Sequence, residues 1–379
     1  MTAMGPLSLN MFVPALPSMA ADLATDYATI SWAFSGYLGI MTLLLLVFGP
    51  LSDRFGRRPV ALSGLAIFGV ASIGCAFAQS VEVLLIFRVL QSGVAAAAGL
   101  AAAIVKDTRS AREAASLLGY IAMAMALAPM LGPVLGGFLE VSFGWRAIFL
   151  TYALISFAVL AGAWVDLRET NLKPSPTMSK QFATYPKLLR EPAFWGYALT
   201  ASFATTGFYV FLAGAPLVSA TVFQMEPSEL GLYIGSITLG YMGGSFAAGR
   251  LGKHLRLSST MLIGRAVALA GLTLGLALIA FGVLTPLVFF GATLSTGIGN
   301  GLSVPAGSAG AMSVRPDLVG SASGLVGALT VGTGALLAGI TAAALTPQNA
   351  AVIVLAMMLL TNALSCAATF LARHCEDAS

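Results

Sequence analysis

Long apolar runs recur along this chain, and they decide its architecture before any single residue is considered. A helix that crosses a bilayer needs about 20 mainly apolar residues, and twelve such runs can be read in the 379 residues. They lie near 4–24, 31–51, 59–79, 83–105, 115–139 and 146–165, then near 193–215, 229–251, 259–281, 285–307, 319–343 and 348–372. Hydrocarbon offers no partner to backbone N–H and C=O groups, so each run is expected as a helix that satisfies its own backbone. Composition agrees, with 58% hydrophobic and 9% charged residues and a mean hydropathy of +0.90. Soluble domains carry roughly a quarter charged residues, so this chain has too few to cover a wet surface. The first run continues as a span, and no cleavable leader is expected.

The charges then sort by side. With twelve spans, alternate loops fall on opposite faces of the membrane. Every Lys and Arg outside the spans except Arg146 falls in one set, which includes Arg54, Lys106, Arg168, Lys187, Arg250, Lys253, Arg315 and Arg373. The other set holds Arg146 with the acids Asp22, Asp26, Glu82, Glu140, Glu226 and Glu229. The positive-inside rule places the basic loops and both termini in the cytoplasm, and a bacterial inner membrane is the expected location. The sequence pI near 9.0 follows from this topology, with membrane lipid and not nucleic acid as the expected partner. Arg88 and Arg265 are the basic residues left within spans.

The longest connection, 166–192, carries Pro174, Pro176 and five Lys or Arg residues, and divides the spans six and six. The expected organisation is a six-helix bundle over 1–165, a cytoplasmic linker over 166–192, and a second six-helix bundle over 193–379. The halves echo each other at an offset of 200 residues, where Gly249 and Leu251 repeat Gly49 and Leu51 while Lys253 replaces Asp53. Two parallel repeats of six helices describe one large class of transporters.

Between the second and third runs lies Gly49-Pro-Leu-Ser-Asp-Arg-Phe-Gly-Arg-Arg58. Four charges within Asp53–Arg58 interrupt two apolar segments, so this stretch is expected as a very short loop at the water interface, a hinge or a latch. Further on stand Arg88-Val-Leu-Gln-Ser-Gly93, Ala128-Pro-Met-Leu-Gly-Pro-Val-Leu-Gly-Gly137 and Asn10-Met-Phe-Val-Pro-Ala-Leu-Pro17. Taken together and in order, these motifs resemble those of the major facilitator superfamily, and more narrowly its Bcr/CflA drug-resistance subfamily. The first matches the G-x-L-x-D-R-x-G-R-R loop, the second the R-x-x-Q-x-G pattern of span four, and the third the antiporter signature of span five. The fourth is similar to the subfamily's D-M-Y-x-P-A-L-P, with Asn10 in place of the acid. The likeness covers essentially the whole chain.

The resemblance implies an all-α integral membrane protein of twelve transmembrane helices in two six-helix bundles. It also implies a secondary transporter that exports small hydrophobic or amphipathic compounds by alternating access, coupled to protons and acting as a monomer. Asp53 is expected to bind arginines and a helix N-terminus, forming a latch with Gly49, Arg54, Gly56, Arg57 and Arg58; the bland alternative for the arginines is topology and lipid binding. An intramembrane charge marks function by default, so Arg88 is expected to order a polar network with Gln91 and Asp107. Gly132, Pro133, Gly136 and Gly137 form a small-residue packing face, expected against the opposite half. Pro14 and Pro17 should break span one and suit it to line a cavity. Candidate substrate contacts are Asn10, Pro14, Tyr37, Tyr120, Met123, Phe208, Phe211, Tyr241 and Asn300, with Phe203, Tyr209 and Tyr233 near them.

An amide cannot take up a proton, so Asn10 weakens the case for proton antiport, and a facilitator or a specific metabolite transporter is the alternative. Coupling would then fall to Asp53, Asp107 or the acids at the opposite helix ends. Only nine residues precede Asn10, so span one is expected to lack most of its cytoplasmic start. Enzyme chemistry has little to stand on. His254 and His374 are the two histidines, both at span edges, and the three cysteines have no metal-ligand spacing. No G-x-x-x-x-G-K-[ST] loop occurs, since His254 follows Gly252-Lys253. No cofactor and no metal are expected.

Overall fold

The computed structural model describes residues 1–94, 100, 104–105, 108, 111–170, 185–252 and 254–378. Helices occupy all twelve expected positions. The first span is broken: α1 (Met4–Asn10) leads into a 3-10 turn over Val13–Ala15 and then α2 (Leu16–Asp22). Pro14 and Pro17 supply the reason, because neither has an N–H for the helical ladder. A one-turn helix α3 (Tyr27–Ile30), capped by the Asp26 carboxylate, precedes α4 (Trp32–Phe55), α5 (Arg57–Ala76) and α6 (Val81–Gln91). The next two are α7 (Ala111–Phe143) and α8 (Trp145–Asp166), separated by Gly144 at φ 78°.

Then follow the short α9 (Tyr185–Leu189), α10 (Pro192–Thr221), α11 (Pro227–Leu251), α12 (Leu257–Ala280), α13 (Pro286–Ser313), α14 (Val319–Ala344) and α15 (Ala350–Ala378). Proline opens α10, α11 and α13, where its missing N–H costs nothing. Eight of the described helical segments are long and apolar enough to cross a membrane.

The chain divides into two compact units, residues 1–180 with 226–231, and residues 181–225 with 232–379. Most of the expected linker, 171–184, lies outside the described residues. Within the first unit, Arg146 pairs with Asp22 at 2.6 Å, and the Trp145 indole N–H donates to the same carboxylate oxygen at 3.2 Å. The one extramembrane arginine of the acidic loop set therefore sits at the same end as an acid of that set.

Small residues set how closely the helices approach. On α7, Gly132 faces Leu7, Asn10 and Met11, and a Cβ on Gly136 would overlap the Met11 carbonyl oxygen. Gly132 and Gly136 thus press on the broken part of span one in their own half, and not on the opposite half as expected. Gly137 and Pro133 lie against the backbone of 227–231, which groups with the first unit. In the second unit a row of small residues joins α12 to α13, with Gly264 against Gly299, Gly271 against Ser295 and Gly275 against Ala292. Without a hydrophobic drive between lipid-bathed helices, such close approach supplies the dispersion that holds them together.

A Gly136→Ala substitution should therefore force backbone apart and cost about 1–3 kcal/mol, the usual range for overpacking. Gly162, with nothing within 4 Å of its would-be Cβ, is the control. Thermal-shift measurement of the purified protein should show a clear fall for Gly136→Ala and none for Gly162→Ala.

Candidate functional site

The charged stretch at 49–58 is shorter as a loop than its sequence implies. Helix α4 continues through Asp53 to Phe55, α5 begins at Arg57, and Gly56 alone is non-helical, at φ 95°. A left-handed conformation favours glycine, and a second constraint adds to it: a Cβ on Gly56 would overlap the Glu169 carboxylate. That carboxylate straddles the start of α5, accepting from the Arg57 backbone N–H at 2.9 Å and the Arg58 backbone N–H at 3.1 Å. Such a bidentate anion satisfies two of the orphan donors of a helix N-terminus and meets its positive end.

The arginines hold the same junction. Arg58 donates to the Leu167 carbonyl at 2.7 Å and the Trp164 carbonyl at 3.0 Å, with its guanidinium 5.2 Å from the Trp164 ring. Arg57 donates to Ser52 Oγ, and Arg54 is exposed beside Phe55. Gly56, Arg57 and Arg58 thus clamp α5 to the exit of α8. Gly49 lies within α4, and the Asp53 side chain is outside the described residues, as is all of Asp107.

The interior of the first unit is built around Arg88, 1% exposed. Its Nε donates to the Ala33 carbonyl at 2.9 Å and Nη1 to Gln91 Oε1 at 2.7 Å, with Ser8's carbonyl at 3.4 Å. Gln91 passes the chain on, donating to Ser72 Oγ at 2.7 Å. The guanidinium lies between the rings of Phe12 and Tyr37, at 4.1 and 4.4 Å, a desolvated cation–π sandwich. Tyr37 shares a 2.8 Å hydrogen bond with Ser8. The expected network of Arg88 with Gln91 is present, and Tyr37 belongs to it.

Two atoms there have no partner among the described residues, Arg88 Nη2 and Asn10 Oδ1, although Asn10 Nδ2 donates to the Pro6 carbonyl at 2.7 Å. Pro14 is buried in the 3-10 turn. The arrangement offers hydrogen-bond donors and acceptors around a fixed positive charge and holds no acid among the described residues. Near the end of α7, Glu140 Oε2 is also buried without a partner among the described residues.

A second buried cation organises the other unit. Arg265, 0% exposed, donates to Ser303 Oγ at 3.0 Å, Asn362 Oδ1 at 2.6 Å and Asn300 Oδ1 at 2.9 Å. Asn300 in turn donates to the Ala204 carbonyl at 2.9 Å. Asn300 therefore spends its amide on structure. Phe211 is sealed, with Phe289, Phe290 and Phe208 around it at ring separations of 6.2–6.5 Å. Tyr120 is exposed, Tyr241 is half-buried, and the Met123 side chain is outside the described residues.

The expected substrate contacts do not converge on one cavity among the described residues. Sequence reasoning missed Glu169, Ser303 and Asn362. Asn362, the one amide within α15, carries a signal in the sequence; the others carry none.

Comparison with known proteins adds the following. The chain matches the family model described as Major Facilitator Superfamily over residues 1–339. It is 30% identical over 267 residues to the uncharacterized MFS-type transporter YdgK of Bacillus subtilis (strain 168), covering 69% of this chain and 66% of that protein. It is 37% identical over 213 residues to a chloramphenicol resistance protein of Pseudomonas aeruginosa, covering 55% and 50%. It is 31% identical over 225 residues to multidrug resistance protein MdtL of Escherichia coli O139:H28 (strain E24377A / ETEC), covering 59% and 57%. These matches thus span 50–66% of the relatives' own lengths.

Among solved structures, a bacterial homolog of the human lysosomal transporter Spinster, inward-facing and unoccupied, superposes with a TM-score of 0.71 at 16% identity, covering 98% of this chain and 95% of that one. A D-xylose-proton symporter gives 0.71 at 14% identity, covering 96% and 95%. The fold of this chain is that of these transporters, twelve helices in two bundles.

The Glu169 clasp is open to direct measurement. Losing a helix N-cap costs about 1 kcal/mol, a factor of roughly five in local opening. Hydrogen exchange at residues 57–60 should accelerate about fivefold in Glu169→Ala, with exchange in α12 unchanged.

Proposed function

We propose that this chain, which belongs to the Major Facilitator Superfamily, is a secondary active transporter that exports small hydrophobic or amphipathic compounds by alternating access. The observation that carries this reading is the 37% identity over 213 residues to a chloramphenicol resistance protein, with MdtL in support. The motifs at 10–17, 49–58, 88–93 and 128–137 favour the Bcr/CflA drug-resistance subfamily within the superfamily. The two bundles are assigned to 1–165 and 193–379, joined by 166–192, in an inner membrane with both termini cytoplasmic, and the protein works as a monomer.

The buried geometry supports a moving polar interior. Arg88 places a desolvated positive charge with a spare donor, Nη2, in the interior of the first unit, where water or a substrate carbonyl could pair with it. At the 49–58 stretch the described contacts tie α5 to α8 within the first unit. This leaves Asp53 as the side chain assigned to latch one conformational state. Asp53→Asn is expected to abolish export while the protein remains folded.

Coupling to protons requires an acid, and Asn10 is not one. Glu140, with its buried unpartnered oxygen, is the carboxylate we assign to proton uptake. A second reading, facilitated transport without protons, is favoured by Asn10 itself. Chloramphenicol flux in proteoliposomes, with and without an imposed pH gradient, separates the two. The expected result is flux accelerated severalfold by the gradient, with Glu140→Gln removing the acceleration but not the basal flux. Flux indifferent to the gradient would sustain the facilitator, and absence of saturable flux for any uncharged antibiotic would reject the exporter.

A further inference from the structure

The second unit contains a cavity of about 300 Å³ between α10, α13 and α14. None of the substrate contacts expected from the sequence lines it. Its polar lining consists of four hydroxyls, from Thr205 on α10, Ser308 on α13, and Ser323 and Thr330 on α14, set among apolar side chains such as Val304 and Val331. No charged residue belongs to the lining.

The hydroxyls are not equivalent. Thr205 Oγ1 donates its proton to the Ala201 carbonyl at 3.0 Å, and Thr330 Oγ1 donates to the Val326 carbonyl at 2.8 Å. As bonded here, both oxygens direct their hydrogen to their own helix and offer lone pairs to the cavity, so they serve as acceptors. Thr330 already lies 3.1 Å from Ser202 Oγ, which is left as the donor in that pair. Ser308 and Ser323 make no side-chain hydrogen bond shown among the described residues and remain free to donate or accept. The cavity is therefore richer in acceptors than in donors. It suits an uncharged molecule with apolar surface and at least one N–H or O–H.

The surroundings reinforce the exclusion of cations. Behind the α10 wall, Asn300 holds the Ala204 carbonyl and is itself held by Arg265. Arg265's hydrogen-bond partners Ser303, Asn362 and Asn300 are neutral, so its positive charge is uncompensated by them. A cationic ligand would lose hydration in the cavity, find no carboxylate in the lining, and meet this buried positive charge.

We propose that this cavity is a loading subsite for uncharged amphipathic molecules that carry a hydrogen-bond donor, with Ser308, Ser323, Thr205 and Thr330 as the discriminating groups. The assignment of loading rests on the transport reading above; the binding site itself does not.

Gly327 gives a clean way to test it. The residue lines the cavity, and a Cβ built there meets nothing within 4 Å, so Gly327→Phe fills the space without striking backbone. The probe is N-phenyl-1-naphthylamine, uncharged, apolar and bearing one N–H, titrated by fluorescence against the purified full chain in nanodiscs. Saturable binding is expected for the parent protein. Gly327→Phe should weaken it more than tenfold, and Ser308→Ala with Ser323→Ala about fivefold, the scale of a lost hydrogen bond. Thermal midpoints should be unchanged, and the cation ethidium should not compete.

No saturable binding by the parent, unchanged affinity in both variants, or equal competition by ethidium would overturn the proposal. If Gly327→Phe does not fold, the double serine variant decides alone. Export read in parallel separates the two levels. Binding lost on plugging while neither protein exports would support the site and reject the transport reading. Binding lost with export intact in Gly327→Phe would overturn the loading role and leave the transport reading standing.

Discussion

Each half of this protein is organised by the need to bury a guanidinium group in an apolar bundle with no carboxylate bonded to it among the described residues. A charge at the centre of a membrane costs about 3 kcal/mol even on insertion scales that allow for relaxation. Arg88 and Arg265 meet that cost differently. Arg88 is held by backbone carbonyls, one amide and two aromatic faces. Arg265 is held by two amide oxygens and a hydroxyl. Both solutions draw partners from several helices. Removing the arginine would leave dipoles aimed at nothing, and removing a partner would leave a charge less well solvated. The helices are thereby held in one register around each cation, which sequence-distant apolar contacts alone would specify poorly.

The same division of labour recurs at the helix ends. Glu169, just past α8, caps the start of α5 through two backbone N–H groups. In the second unit Glu376, near the end of α15, accepts from the Ser258 backbone N–H at the start of α12, from Ser258 Oγ and from Tyr197. In each unit a glutamate at the exit of the last long helix fastens the start of the third span. The sequence echo at an offset of 200 residues thus has a structural counterpart, carried by residues outside the echoed motif. What differs is the charge around the junction. At the first junction the cations Arg57 and Arg58 follow the non-helical residue Gly56, whereas at the second the cation Arg256 stands at the equivalent of Gly56 and pairs with Asp377 beside the capping Glu376. The repeat thus keeps an anionic cap and a nearby cation at both junctions while changing which residue carries the charge.

The spans were legible because hydrocarbon imposes a length and a composition on any helix that crosses it. Helix ends shift from the expected bounds by up to six residues, and at α4 and α15 polar and charged residues extend the helix beyond the hydrocarbon, as the stretch from Ser52 to Phe55 does. That extension is why the supposed loop at 49–58 shrinks to Gly56: charge says where a membrane ends, not where a helix does. Arg88 stood out as a charge in an apolar run, yet several of its partners are backbone carbonyls, which no side-chain pattern announces. The aromatic residues of α10 drew attention as substrate contacts. In the fold, Phe211 packs inward against Phe289 and Phe290, because large rings repay burial more than any other side chain. The cavity hydroxyls were invisible for the opposite reason. Serine and threonine are common in such helices, and only the rotation of three helices brings these four together.

On the proposed reading, selectivity and driving force separate in this molecule. A transporter that recognises cations by pairing them with a mid-membrane acid uses one carboxylate both to bind and to exchange a proton. With an amide at position 10 and an uncharged cavity in the second unit, this chain has no such dual-purpose group among its described interior residues. Recognition falls to shape, apolar area and a few hydroxyl acceptors, which discriminate neutral molecules by single hydrogen bonds worth about 1 kcal/mol each. Such small increments select a class of compound and not one compound, because no single contact is costly enough to lose. On the proposed reading, breadth of substrate would follow directly from dispensing with charge at the site, and a proton that drives the cycle would act at a distance from the molecule it moves.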